Sequence, residues 1–173
     1  MTADARETRV TEALAANAPD LLAYFERRVA HDDAADLLAE VMLTVWRRVD
    51  GLPADPVRAR MWLFVTARNV LANAERGERR RWRLANRLRM MMLGSAAAPA
   101  ASDPGEAAEV RDAIARLSPE LAELIRLVHW EGFTLVEAGE LMGIPASTAR
   151  GRYQRAKQEL REALAATASA SAG

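Results

Sequence analysis

The segment TLVEAGELMGIPASTARGRYQRAKQELREAL, residues 134–164, leaves few folds open to the chain. Leu135, Ala138 and Leu141 give a short helix an inner face. Gly143 then permits a left-handed turn, Ile144 plugs the corner, and Pro145 suits the opening of a second helix. On that second helix Ala149, Tyr153, Ala156, Leu160 and Leu164 follow at spacings of four, three, four and four, one face of a helical turn. The pattern predicts a helix-turn-helix. Its apolar spacing also suits a plain helical hairpin with a solvated basic face, but turn glycine, apolar corner and basic second helix coincide here. Ser147, Thr148, Arg150, Gly151, Gln154, Arg155 and Lys157 remain outside. An exposed row of this kind suits the major groove, where arginine pairs with guanine, glutamine with adenine, and hydroxyls and cations hold phosphates.

The segment before it, ARLSPELAELIRLVHWEGF, supplies support. Ser118 is expected to cap a helix opened by Pro119, and Leu117, Leu121, Leu124, Ile125 and Val128 are expected to pack under the reading unit. His129 beside Trp130 has no second ligand in view, so it reads as structural rather than metal-binding.

No segment alternates apolar and polar residues over a strand length, and Ala, Leu, Arg and Glu dominate. The fold class expected is all-α. Apolar spacing places helices at 6–16, 19–30, 33–49, 57–91, 106–116, 119–130, 134–142 and 146–166. In the third, Leu37, Val41, Val45 and Val49 recur every four residues beside Leu38, Met42 and Trp46, and Gly51-Leu52-Pro53 is expected to close it. The stretch LGSAAAPAASDP, residues 93–104, has no periodic apolar face and reads as a flexible linker. The expected organisation is two small helical domains, 1–92 and 106–166, joined by a linker at 93–105, with a disordered tail at 167–173.

Cysteine is absent and the histidines number two, which leaves no disulfide framework, no thiolate metal site and no cofactor or metal centre to assign. No apolar run reaches signal-peptide length or the roughly 20 residues of a membrane span, so the expected location is cytoplasmic. Lys and Arg total 24, and so do Asp and Glu, but the charges lie in blocks. Asp32, Asp33, Asp36, Glu40 and Asp50 precede the arginine run RGERRRWRLANRLR (76–89). Asp103, Glu106, Glu109, Asp112, Glu120 and Glu123 follow it, and basic residues return at Arg150, Arg152, Arg155 and Lys157. Such blocks suit separate protein-facing and nucleic-acid-facing surfaces, although solvated helix faces also produce them.

Two words of the N-terminal half, DDAADLLAEVMLTVWRRVDGLP and RMWLFVTARNVLANAERGERRR, combine with LSPELAELIRLVHWEGFTLVEAGELMGIPASTARGRYQRAKQEL of the C-terminal half. Together, in this order, they resemble the extracytoplasmic-function (ECF) class of RNA polymerase sigma factors in the sigma-70 family. The likeness runs from about residue 19 to 166. The first two words look like the family's region two and the last like its region four.

The resemblance implies that region two binds the clamp helices of core RNA polymerase and the minus-ten promoter element. Region four would read the minus-35 element and touch the polymerase flap. Asp33, Asp36 and Glu40, at spacings of three and four, form a carboxylate stripe suited to arginines on polymerase. Most members carry Gln-Glu where this chain has Ala39-Glu40. On the next helix Trp62, Leu63 and Val65 are expected to anchor, with Trp62 in the core rather than a stacking platform. Asn69 and Asn73 are expected to bond base edges of the minus-ten strand, and Arg68, Arg76, Arg79 and Arg80 to hold phosphates. The preceding loop, residues 52–60, would cradle a flipped base. The minus-35 set is Ser147, Thr148, Arg150, Arg152, Gln154, Arg155 and Lys157. An anti-sigma factor is a further partner that the resemblance implies.

A helix-turn-helix regulator acting without polymerase would explain the C-terminal half but leave the acidic stripe and the WLFVTARN word unused. An enzyme is disfavoured: the chain has no Gly-rich phosphate loop, no HExxH, no G-x-S-x-G and no carboxylates at metal spacing backed by histidine.

Overall fold

A computed structural model describes residues 3–92 and 106–171, with side chains from 5 to 78 and from 109 to 166. The expected linker lies outside these residues. All regular structure among them is helical: α1 (Ala3–Glu26), α2 (His31–Arg47), a 3-10 turn (Val49–Gly51), α3 (Pro56–Met92), α4 (Glu106–Arg116), α5 (Pro119–His129), α6 (Leu135–Met142) and α7 (Ala146–Ser171). The chain divides into two compact units, residues 1–96 and 97–173.

In the first unit α1, α2 and α3 pack on one another. The expectation of two helices at 6–16 and 19–30 gives way to a single helix, Ala3–Glu26, that carries Pro19 inside it. A proline there removes a backbone donor and costs about 3 kcal/mol. Burial outweighs it: Val10, Leu14, Leu21 and Phe25 share one face on both sides of the proline, and none is more than 6% exposed. Each large side chain so buried contributes about 1.5–3 kcal/mol. Arg60 on α3 also grips the turn around Pro19, donating from Nη1 to Asp20 Oδ2 at 2.8 Å and to Asn17 Oδ1 at 3.4 Å. Tyr24 sits edge-on to Phe25 and to Phe64 of α3, with ring centroids 5.3 and 5.6 Å apart.

Helix α2 buries Ala34, Leu37, Val41 and Val45 and ends at Arg47, two residues before the expected boundary. Gly51 does not cap it. That glycine closes the 3-10 turn, where its amide bonds the Arg48 carbonyl at 2.8 Å. The loop into α3 is shorter than expected, because Asp55 caps the helix: its Oδ1 accepts from the Arg58 amide at 2.9 Å. Residues 56–60 of the expected base-cradling loop are therefore helical, opened by Pro56.

The second unit has a core of Ile114, Leu117, Leu121, Ala122, Ile125 and Ala156, with Tyr153 and Leu160 packed against it. Ser118 stands at the head of α5 without a side-chain capping bond, so Pro119 and the backbone bond from Ala122 to the Ser118 carbonyl (3.0 Å) start that helix. Thr134 forms a full capping box on α6 with Glu137: Thr134 Oγ1 accepts from the Glu137 amide at 3.3 Å, and Glu137 Oε2 accepts from the Thr134 amide at 2.7 Å. Gly143, at φ 68° and ψ 31°, makes the left-handed corner. Helix α7 runs on to Ser171, through most of the tail expected to be disordered. The run ATASA extends a helix already nucleated by tertiary packing, and extension needs only one hydrogen bond per residue fixed.

Candidate nucleic-acid interface

The corner between α6 and α7 brings two backbones unusually close. A Cβ built on Gly139 of α6 would stand 3.2 Å from the Ala149 Cβ and 3.3 Å from the Ile144 carbonyl oxygen. Small residues at both positions let α7 lie tight on α6, and the Ile144 amide bonds the Gly139 carbonyl at 2.9 Å. The opposite side of α7 is thereby turned to solvent.

Ser147, Thr148, Arg150, Gly151, Gln154 and Arg155 are all exposed on that side, and Ala149 and Ala156 are fully buried on the other. Arg155 Nε pairs along the helix with Glu159 at 2.8 Å. Arg152 points elsewhere: its Nη2 lies 2.9 Å from Glu120 Oε2, at the head of α5. Lys157 is half-buried and leans over the Tyr153 ring at 5.6 Å. The exposed face of α7 thus holds five of the seven residues expected from sequence, Ser147, Thr148, Arg150, Gln154 and Arg155, with Arg152 and Lys157 on its flanks. The Tyr153 hydroxyl meets His129 Nε2 at 2.9 Å and their rings stack, tying α7 to the end of α5.

On α3, Leu63 is fully buried and Trp62 half-buried beside Gly51. Val65 does not anchor the helix; it is 38% exposed, and Phe64, at 0%, fills the core in its place. Asn69, Asn73 and Arg76 are exposed at spacings of four and three, so they share one face, while Arg68 is half-buried. Arg76 Nη2 donates to Asn73 Oδ1, which leaves the Asn73 amide NH2 as the group free to turn outward. The side chains of Arg79 and Arg80 lie outside the described ones.

On α2, Asp33, Asp36 and Glu40 are exposed, and among the described residues none pairs with a basic side chain. Two residues that the sequence reading did not place on this surface join them. Leu43 is 55% exposed and Trp46 43%. Helical register was the available signal for Leu43, three residues beyond Glu40 and seven beyond Asp36. The outer face of α2 therefore combines carboxylates with an unpartnered apolar pair. Among the described residues no group of three His, Asp or Glu side chains stands close enough to hold a metal ion, and no helix is long and apolar enough to cross a membrane.

Comparison with known proteins bears directly on these surfaces. The family models described as Sigma-70 region 2 and Sigma-70, region 4, match residues 14–81 and 107–160. The RNA polymerase sigma factor CarQ of Myxococcus xanthus is 32% identical over 162 residues, which cover 93% of this chain and 92% of CarQ. The chain belongs to the sigma-70 family of RNA polymerase sigma factors, in its ECF class. The ECF sigma factor SigL of Mycobacterium tuberculosis is 29% identical over 140 residues, covering 76% of this chain and 74% of SigL. In fold, this sigma factor is similar to RpoE of Bartonella quintana, solved in complex with the anti-sigma factor NepR, at a TM-score of 0.68 and 24% identity over 89% of this chain and 95% of that one. The region 2 match spans α2 and the Asn69–Asn73 face of α3, and the region 4 match spans the capping box, the corner and the exposed face of α7.

Proposed function

We propose that the two units divide promoter recognition between them, the first engaging core polymerase and the minus-ten strand, the second the minus-35 duplex. As a sigma factor the chain directs RNA polymerase to initiate transcription. The observation that carries the division is the sorting of α7: buried alanines at 149 and 156 against exposed Ser147, Arg150 and Gln154. Arg150 and Gln154 are side chains of that face with bidentate reach to guanine and adenine edges, while Arg155 is held along the helix by Glu159. Ser147, Thr148 and Arg155 hold phosphates beside them, with Lys157 and Arg152 at the margins.

In the first unit, the outer face of α2 docks on the clamp helices of core polymerase. Asp33, Asp36 and Glu40 meet basic groups there, and Leu43 and Trp46 supply apolar area that water otherwise covers. Asn69 and Asn73 bond bases of the opened minus-ten strand, and Arg68, Arg76, Arg79 and Arg80 hold its backbone. Unstacking bases is unfavourable, and binding the extruded strand offsets it. The chain contributes binding, while the polymerase performs the covalent step. It acts in the cytoplasm, where core polymerase and promoter are. An anti-sigma factor holds it inactive, a reading supported by the fold it shares with RpoE, which was solved with such a partner. The test is co-purification with cognate core polymerase and core-dependent binding of promoter DNA. A chain that binds a specific duplex equally well without polymerase would be a regulator of another kind.

A further inference from the structure

Three glycines near the helix-turn-helix corner differ in what demands them. Gly143 is required by its left-handed φ of 68°, and Gly139 by the approach of Ala149 at 3.2 Å. Gly151 has neither cause. It lies within α7, exposed, its φ is not positive, and a Cβ added to it would meet none of the described residues within 4 Å. After proline, glycine is the least favourable residue in a helix interior. The second turn of α7 thus carries a residue that weakens the helix without easing any contact among the described residues.

Its neighbours on the helix surface are Ser147 and Arg155, four residues either way, and Gln154, three residues on, with Arg150 adjacent in sequence. Gly151 is a bare patch of backbone in the middle of the face assigned to DNA. A helix with its side chains is about 10–12 Å across, and the major groove of B-DNA is about 12 Å wide. In so close a fit, one side chain on the leading surface sets how far the axis stands from the base edges. We propose that Gly151 is the point of closest approach of α7 to promoter DNA, and that its missing side chain lets Arg150 and Gln154 reach the bases. This rests on the reading of α7 as the minus-35 helix. Gly151 is a positioning residue: it contributes no hydrogen-bonding side chain and acts through the depth at which its neighbours are held.

Substitution of Gly151 should move stability and function in opposite directions. In the full chain, Gly151→Ala raises the melting temperature, because alanine is the better helix former and the added methyl meets open space. The same variant lowers transcription from a minus-35-dependent promoter with cognate core polymerase. Gly151→Leu, with a longer side chain at the same point, lowers it further, by about ten-fold or more, the scale of losing one base-edge pairing. Both variants bind core polymerase as the wild type does. Wild-type transcription by Gly151→Leu would overturn the proposal, as would loss of core binding in either variant, which would place the bare patch against polymerase. If the wild-type chain itself fails to direct minus-35-dependent transcription, the reading of α7 falls first and the proposal with it.

Discussion

Gly139 and Ala149 set the depth of the helix-turn-helix corner: a Cβ on the glycine would stand 3.2 Å from the alanine's own, closer than an ordinary van der Waals contact. The neighbour on the other side is the Ile144 backbone carbonyl at 3.3 Å, which cannot rotate away as a side-chain end can. Gly139→Val should therefore overpack α6 against α7 and destabilise the second unit by about 1–3 kcal/mol. Thermal unfolding followed by circular dichroism reads this as a fall of several degrees. An unchanged melting curve would show that the corner has slack.

Arg150 and Arg152 lie two residues apart and face different partners. Arg150 is exposed on the face assigned to DNA, whereas Arg152 reaches Glu120 at 2.9 Å. Arg150→Ala should weaken minus-35 recognition by about 1–3 kcal/mol while leaving the fold intact. Arg152→Ala removes a partly exposed ion pair worth about 0.2–1 kcal/mol and should affect stability more than promoter choice. Transcription from promoters with altered minus-35 bases separates the two. Equal losses of specificity from both variants would contradict the assigned face.

The outer face of α2 makes a separate prediction. Glu40→Lys and Leu43→Asp change exposed side chains, so each should shift the chain's own stability by no more than about 0.5 kcal/mol. Each should nonetheless lower affinity for core polymerase by about ten-fold or more, since reversed charge and a carboxylate in an apolar contact are both penalised at an interface. Titration of labelled chain with core polymerase measures this directly. Retained affinity would move the docking surface elsewhere.

Asn69→Ala removes an exposed amide from the α3 face without touching the buried Leu63, Phe64 or Val70. It should slow promoter opening, read by permanganate reactivity of unpaired thymines, with core binding unchanged. Normal opening kinetics would remove Asn69 from the melting role.

Much of this architecture was legible in the residues. The left-handed Gly143, the inward row of α7 and a single long α3, expected at 57–91 and found at Pro56–Met92, all follow from local chemistry and period. Where reading failed, a tertiary or register effect had won over a local rule. Pro19 looked like a helix boundary, yet the buried face from Val10 to Phe25 and the Arg60 bridge carry α1 straight through it. Gly51 looked like a cap, but the chain turns through a 3-10 segment instead. The capping box Thr134-x-x-Glu137 is a sequence signature that marks the start of α6. Arg152 belonged on the reading face by charge alone; only the position of Glu120 shows it turned aside. Leu43 and Trp46 were hidden because apolar residues in an amphipathic helix are assigned to its core by default.

This sigma factor makes core polymerase start at particular promoters. The most direct test is transcription in vitro with cognate core polymerase on a genomic library, with and without the chain, followed by mapping of RNA 5′ ends. A discrete set of start sites, preceded by shared minus-ten and minus-35 elements, should appear only when both are present. Start sites unchanged by adding the chain would contradict it.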